Sequence, residues 1–332
     1  MTARNVTRRL HVRIEAWPLE RPFTIARGTK TTAEVVLVEI EDAGHHGRGE
    51  CVPYPRYGES STSVVAAIEA LSEQVEAGLD RTALQRLLPP GAARNALDCA
   101  LWDLEAKQTG RPVWQLAGVP SPRPVITAET IALDSVEAMA AAALRLRDRP
   151  LLKVKVGADD VIERIGAVRA AAPSARLVVD ANEGWDLALL QRIGGMLAAF
   201  EVEVIEQPLP VGDDLALADY AAPVPLCADE SCHSSADLEH LPAAYGMINV
   251  KLDKAGGLTE ALQLVAAAHA RGLQVMVGCM VGTSLAMAPA MLLAAHARVV
   301  DLDGPLWLMH DRGPALKFAD GCVYPPEPTL WG

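Results

Sequence analysis

A closed barrel of alternating strands and helices, preceded by a small α+β domain, is the fold that this sequence predicts, and three observations carry the prediction. The 332 residues correspond to about two average domains, or to one barrel of about 250 residues with an attachment. From residue 125 onward, short β-branched runs alternate with Ala- and Leu-rich stretches, the pattern of parallel βα units. Polar residues close those runs at Lys155, Asp180, Glu206, Asp229, Lys251, Gly278 and Asp301, each 22 to 27 residues from the last, which is one βα unit. An open doubly wound sheet would gather such ends at one switch point, whereas here nearly every unit delivers one.

The elements follow in order. His11 to Glu15 alternates, and Glu34 to Ile40 runs into the turn Gly44-His45-His46-Gly47 before a third short strand, which makes an antiparallel meander. Helices are expected over Ser61 to Ala77 and Ala92 to Thr109. In the second, Ala96, Ala100, Leu101 and Leu104 form an apolar stripe, and Gly110 with Pro112 stop it. The Pro-rich stretch from Val119 to Pro124 reads as a linker. Eight strands are then expected: Val125 to Ala128, Leu151 to Val156, Leu177 to Asp180, Val202 to Glu206, Val224 to Ala228, Met247 to Lys251, Gln274 to Gly278 and Val299 to Asp301. The division is therefore a capping domain over 1–118, a barrel over 119–315 and a tail over 316–332 that returns to the cap.

Composition excludes several functions. Half of the residues are hydrophobic and 22% are charged, as in folded soluble chains. A formal charge of -12 and only 4% aromatics leave no basic face for a phosphate backbone and little for bases to stack on, so nucleic acid is not the partner. The apolar stretch Met276 to Leu293 is broken by Gly278, Gly282 and Pro289 and reads as barrel, so no membrane partner is expected. Its methionines, Met276, Met280, Met287 and Met291, are expected to pack the core. Met1 to Glu15 carries no apolar run of a secretory signal, which makes the cytoplasm the expected compartment. The six cysteines are scattered and read as reduced thiols, and the histidines show no ligand spacing.

Asp180, Glu206 and Asp229 each follow apolar strand residues, so in a barrel three carboxylates would crowd one partly dry rim and repel one another. One such acid is as readily a helix cap, but three in succession call for a cation. All-oxygen ligation suits Mg²⁺ or Mn²⁺ rather than zinc. Lys153 and Lys155 share one face of their strand, and Lys251 ends the sixth strand among Ile248, Asn249 and Val250, where an inward lysine needs partners. Amines from units two and six would face each other across the acids. That arrangement suits a proton abstractor and a proton donor on opposite faces of one carbon, with a metal stabilising the enediolate. Gly256-Gly257 without further phosphate-loop residues is weak as a nucleotide signal.

Five motifs in order, Lys-Val-Lys at 153–155, Asp-Ala-Asn at 180–182, Glu-Gln-Pro at 206–208, Ala-Asp-Glu-Ser at 228–231 and Lys-Leu-Asp-Lys-Ala-Gly-Gly at 251–257, make the chain resemble the muconate-lactonising branch of the enolase superfamily. The resemblance implies a modified (β/α)7β barrel with an N-terminal α+β capping domain, one Mg²⁺ on Asp180, Glu206 and Asp229, an acid/base pair Lys155 and Lys251, an auxiliary cation Lys153 and a supporting Asn182. Asp301-Leu302-Asp303 resembles the Asp-x-Asp of dipeptide epimerases, which implies that Asp301 and Asp303 hold the α-ammonium of the substrate. The stretches Thr24 to Thr29 and Pro53 to Ser60 resemble capping loops of epimerases acting on L-Ala-D/L-Glu in murein peptide metabolism, with Arg27 reaching the glutamyl side chain. The expected partner is thus a small dipeptide, with self-association left open. Related alternatives are epimerases of other dipeptides, N-succinylamino-acid racemases, o-succinylbenzoate synthases and cycloisomerases; from another class, a barrel that only binds peptide. The last would tolerate loss of the acids and lysines, all of which are present.

Overall fold

The computed structural model describes residues 8–332, so the first seven residues of the expected capping domain and of the expected leaderless N-terminus lie outside the described residues. The chain opens with an antiparallel meander of β1 (Arg9–Ile25), β2 (Gly28–Asp42) and β3 (His45–Cys51). Helices α1 (Ser61–Glu69), α2 (Ser72–Glu76), α3 (Arg81–Leu87), α4 (Ala92–Thr109) and α5 (Val113–Ala117) follow. Val36, Val38 and Ile40 of β2 bury one face of the sheet against Ile68, Leu84, Leu97 and Ala100, which gives the cap its own core. The expected single helix over 61–77 breaks at Ala70 and Leu71, where the Ser72 hydroxyl donates to Glu69 O and competes with the helical backbone.

After β4 (Val125–Ile126), an eight-stranded parallel sheet runs in sequence order: β5 (Glu129–Ile131), α6 (Val136–Arg145), β6 (Leu151–Lys155), α7 (Val161–Ala171), β7 (Arg176–Asp180), α8 (Leu187–Ala199), β8 (Val202–Glu206), β9 (Leu226–Ala228), β10 (Tyr245–Val250), α9 (Leu252–Ala255), α10 (Leu258–Ala270), β11 (Gln274–Val277), α11 (Ser284–Ala290) and β12 (Val299–Val300). Ala128 N donates to Val300 O at 2.8 Å, joining the first strand to the last. Two corrections follow. The run Val125 to Ala128 is not the first barrel strand: Val125 and Ile126 pair antiparallel with β14 (Cys322–Val323), itself hairpinned to β13 (Phe318–Ala319), and the barrel begins at Glu129. Met276, Met287 and Met291 are buried in the core, but Met280 lines the cavity above the barrel.

Period 2 in the strands sets the interior. Ala128, Leu151, Val178, Val204, Cys227, Met247, Met276 and Val299, one from each strand position, form a closed apolar layer across the barrel. Two residues farther along each strand the same inward face carries Thr130, Lys153, Asp180, Glu206, Asp229, Asn249, Gly278 and Asp301. The polar rim is therefore one layer above a dry floor, and the sheet's register decides which residues meet there.

The cap docks through the polar side of α4. Arg94 donates from Nη2 to Ala255 O at 2.7 Å and from Nε to Gly256 O at 3.1 Å, and Asp98 accepts from Thr259 N at 2.9 Å and from its hydroxyl at 2.6 Å. Gly257 has φ 108°, and a Cβ there would lie 2.5 Å from Asp98. The paired glycines at 256–257 thus admit a helix rather than a phosphate. At the far end of the chain, Trp331 Nε1 donates to Cys99 O at 3.0 Å and Gly332 N to Asp103 Oδ1 at 2.8 Å. No helix among the described residues is long and apolar enough to cross a membrane.

Candidate active site

Lys155, Asp180 and Glu206 are consecutive partners in the sheet register, and Glu206 pairs with Cys227, two residues before Asp229. The three acids are almost fully excluded from water. Three carboxylates so placed repel one another, and the lysines answer that charge. Lys153 Nζ lies 2.7 Å from Glu206, 2.7 Å from Asp301 and 3.1 Å from Asp180. Lys155 pairs with Asp180, and Lys251 Nζ sits 2.6 Å from Asp229. Lys155 and Lys251 therefore flank the acids, on β6 and just beyond β10, with the acid-bearing strands β7 to β9 between them.

The electrostatics follow from burial and pairing. Asp180 and Asp229 would be pushed up by burial, but Lys155 and Lys153 around the first, and Lys251 and Lys254 around the second, bring both below the ordinary carboxylate range. Glu206, buried and beside Asp180, is raised to about 7. Burial alone would lower the ammonium of Lys251, yet Asp229 holds it well above the ordinary lysine value; Lys153 behaves likewise beside Asp301.

Among the described residues no three acidic, His or Cys side chains already converge in metal-ligand geometry; ammonium groups stand between the carboxylates. The donor set still fits a hard divalent cation. It is all oxygen, and Glu206 Oε2 and Asp229 Oδ1 are buried without an aligned hydrogen bond. Asn182 supports Asp180 through its backbone N–H, 2.9 Å from Oδ1, and its side-chain Oδ1 is unpartnered.

Above this rim lies a cavity of about 480 Å³, large enough for a dipeptide. Lys155, Lys251, Asp301 and Asp303 line its base, and Phe23, Ile25 and residues 27–30 and 54–57 of the cap form its mouth. Asp301 gives one oxygen to Lys153 and leaves Oδ1 free of partners. Asp303 accepts from Thr130 N at 2.7 Å and from Trp307 Nε1 at 3.3 Å; burial and the neighbouring Asp301 raise it to about 7. Arg27 reaches the mouth but is already engaged: it donates to Asn182 O at 2.8 Å and Tyr54 Oη at 3.0 Å, and pairs with Glu183 at 3.0 Å and Glu230 at 2.7 Å.

Sequence reasoning missed three participants. Asn249 donates to Glu206 at 2.7 Å, and Gly278 leaves it room, since a Cβ there would lie 2.6 Å from Asn249 Oδ1. Its place two residues before Lys251 on one strand was the available signal. Lys254, fully buried, lies 2.7 Å from Asp229 Oδ1 and donates to Cys232 O at 2.8 Å and Asn249 O at 2.9 Å. Glu230, raised to about 7 by burial and then by Asp229, pairs with Arg27. Neither of the last two has a periodic signature.

Comparison with known proteins agrees with this geometry. The chain is 50% identical over 309 residues, 92% of its length and 96% of the relative's, to an L-Ala-D/L-Glu epimerase of Escherichia coli. It is 46% identical to an N-acetyl-D-glutamate racemase of Pseudoalteromonas over 90% of its length and 95% of that protein. A solved structure of an enolase family member from Agrobacterium tumefaciens with homology to dipeptide epimerases, holding sodium and L-Ala-L-Glu, superposes with a TM-score of 0.96 at 51% identity, covering 98% of this chain and 100% of that one. A dipeptide epimerase from Enterococcus faecalis, complexed with Mg and L-Leu-L-Tyr, gives a TM-score of 0.90 at 28% identity, over 97% and 98% of the two chains. Residues 7–118 match the mandelate racemase / muconate lactonizing enzyme N-terminal domain, and residues 137–329 match the enolase C-terminal domain-like family. The capping meander, the barrel and the lysine-flanked acidic rim are accordingly those of a chain that belongs to the mandelate racemase / muconate lactonizing enzyme family of the enolase superfamily.

Proposed function

We propose that the protein is a Mg²⁺-dependent dipeptide epimerase, acting at the glutamyl α-carbon of L-Ala-L-Glu and L-Ala-D-Glu. The observation that carries this reading is the placement of Lys155 and Lys251 on the two flanks of one acidic rim, both facing the same cavity. One of them, as a neutral amine, takes the α-proton from its face of the carbon; the other, as an ammonium, returns a proton to the opposite face. Between the two transfers the negative charge spreads onto the adjacent carboxylate of the substrate. Asp180, Glu206 and Asp229 would hold the Mg²⁺, which when bound supplies positive charge opposite that carboxylate. Lys153 adds a further positive charge at the rim, and Asn182 keeps Asp180 oriented. Asp301 through its free Oδ1, together with Asp303, receives the alanyl ammonium, and Arg27 borders the space left for the glutamyl side chain. The close match to the L-Ala-D/L-Glu epimerase supports the choice of dipeptide.

Exchange in D2O tests the two-base assignment. Lys155→Ala and Lys251→Ala are each expected to lose epimerisation by about 10³-fold or more, yet each to retain α-proton exchange with one epimer, the two variants with opposite epimers. Exchange of both epimers by either variant would overturn it.

A further inference from the structure

The rim uses only the first residue of Glu-Gln-Pro at 206–208, yet Gln207 is as fully buried as the acid before it. Its backbone ties neighbouring strand ends to its own. Gln207 N donates to Cys227 O at 2.8 Å, two residues before Asp229, and Gln207 O accepts from Glu183 N at 2.9 Å, three residues beyond Asp180. Pro208 O accepts from Trp185 N at 2.9 Å in the same interlock. Gln207 has φ 34°, and Asn182 and Glu183 have φ 46° and 67°. Residues other than glycine keep such a backbone only where their surroundings fix it.

The side chain reaches Asp229 itself: Gln207 Oε1 accepts from Asp229 N at 2.9 Å and from Ser231 N at 3.1 Å. On its other side Nε2 donates to Leu209 O at 2.9 Å, Ser231 Oγ at 2.8 Å and Tyr245 Oη at 3.1 Å. Both hydroxyls commit their own protons to Asp214, Tyr245 Oη donating to Oδ1 at 2.8 Å and Ser231 Oγ to Oδ2. A hydroxyl whose proton is so committed presents only lone pairs, which accept an N–H and repel a carbonyl. Asp214, buried on the short turn Asp214–Leu217 between β8 and β9, thereby decides which end of the Gln207 amide faces Asp229.

We propose that Gln207, oriented by Asp214 through Ser231 and Tyr245, is a positioning residue for the rim: it fixes the backbone of Asp229 relative to Glu206 and Asp180, and so sets the affinity of the three carboxylates for a divalent cation. Hydrogen-bond partners behind a metal ligand hold it in place, and their loss appears as weakened metal binding. The proposal rests on the reading of these acids as the Mg²⁺ ligands and deepens it, since it names what holds their spacing against mutual repulsion.

Electron paramagnetic resonance distinguishes free from bound Mn²⁺ and reads affinity without turnover. Gln207→Met, close in size, leaves the Asp229 and Ser231 N–H groups without their acceptor and is expected to weaken Mn²⁺ binding by about 10- to 100-fold. Asp214→Asn, which touches neither the rim acids nor the lysines, frees the amide to turn and is expected to weaken binding by about 3- to 10-fold. Asp98→Ala removes an equally buried carboxylate at the joint between cap and barrel. It is expected to lower the melting temperature while leaving Mn²⁺ affinity within about twofold of wild type. If Gln207→Met fails to fold, Asp214→Asn carries the test. Wild-type affinity in Asp214→Asn, or in folded Gln207→Met, would leave the network a packing feature and overturn the proposal. So would an equal loss in Asp98→Ala, which would tie affinity to stability at large. A wild-type protein that binds no Mn²⁺ overturns the metal reading of the rim and the proposal with it, whereas binding by wild type with no change in the variants overturns the role of Gln207 alone.

Discussion

The acidic rim and the mouth of the cavity are both built from ion pairs, but they hold their charges by different means. At the rim Lys155, Asp180, Glu206, Asp229, Lys251 and Asp301 sit at strand ends or one residue beyond, so their positions follow from sheet register; the Lys153 side chain, two residues inside β6, is only 2% exposed. At the mouth the charges ride on a hairpin turn and loops, and the Arg56 side chain is 40% exposed. Register fixes the rim as soon as the barrel forms, so the proton chemistry proposed for Lys155 and Lys251 belongs to the barrel. The mouth is assembled from two domains, with Arg27 and Arg56 from the cap meeting Glu183 and Glu230 from the barrel. The selectivity proposed for the mouth is thereby separable from the chemistry proposed for the rim.

Removing a rim charge that nothing else can replace gives the largest effect on stability. Lys254→Met leaves three carbonyls and Asp229 without their buried donor, and is expected to cost about 3 to 5 kcal/mol in the free energy of unfolding by urea. A loss below about 1 kcal/mol would erase the contrast between the two regions. Next is Asp301→Asn, which keeps the size of the side chain and removes its charge. It is expected to cost on the order of 100-fold in kcat/KM for L-Ala-L-Glu, and to leave activity on N-acetyl-glutamate, which carries no ammonium, little changed. Equal losses on both substrates would place Asp301 with Lys153 rather than with substrate.

Between the two regions lies Asp253, buried, accepting from Val52 N at 2.9 Å and Asn95 Nδ2 at 2.8 Å and raised by burial to about 7. A carboxyl with a raised folded-state pKa binds more protons folded than unfolded between its ordinary value of 3.8 and about 7. Its contribution to stability is therefore present at low pH and lost as pH rises through that window. Asp253→Asn removes the charge, so its stability relative to wild type is expected to rise by about 2 kcal/mol from pH 5 to pH 7. A pH-independent difference in thermal unfolding would contradict the shift. The smallest effect is expected at the mouth, where Arg56→Ala breaks a half-exposed pair with Glu183 and is expected to cost about 0.5 kcal/mol.

What could be read from the sequence divides along the same line. Lys153, Asp180, Glu206, Asp229, Lys251 and Asp301 follow apolar runs at period 2 and at barrel spacing, so one-dimensional pattern finds them. Asn249 obeys the same parity, but it lies two residues before the run end that the barrel spacing marks at Lys251. Lys254, Glu183 and Glu230 sit where strands give way to loops and helices, and their roles depend on which backbone comes near. Arg94 and Asp98 interrupt the apolar stripe of α4 as ordinary helix-surface residues would, and only the docked barrel gives them partners. Val125 and Ile126 have the composition of a barrel strand. Their true partner, Cys322–Val323, lies far down the chain, beyond the reach of local pattern.

The α4 joint also has a temporal meaning. Asp98 and Thr259 are 161 residues apart in the chain, and the entropy of closing so large a loop disfavours making the contact early in folding. Interactions absent from the transition state act on the rate of escape from the native state rather than on the rate of reaching it. The clasp between cap and barrel is thus a brake on unfolding: it sets how long an assembled molecule keeps its mouth over the acidic rim, not how fast new molecules are made.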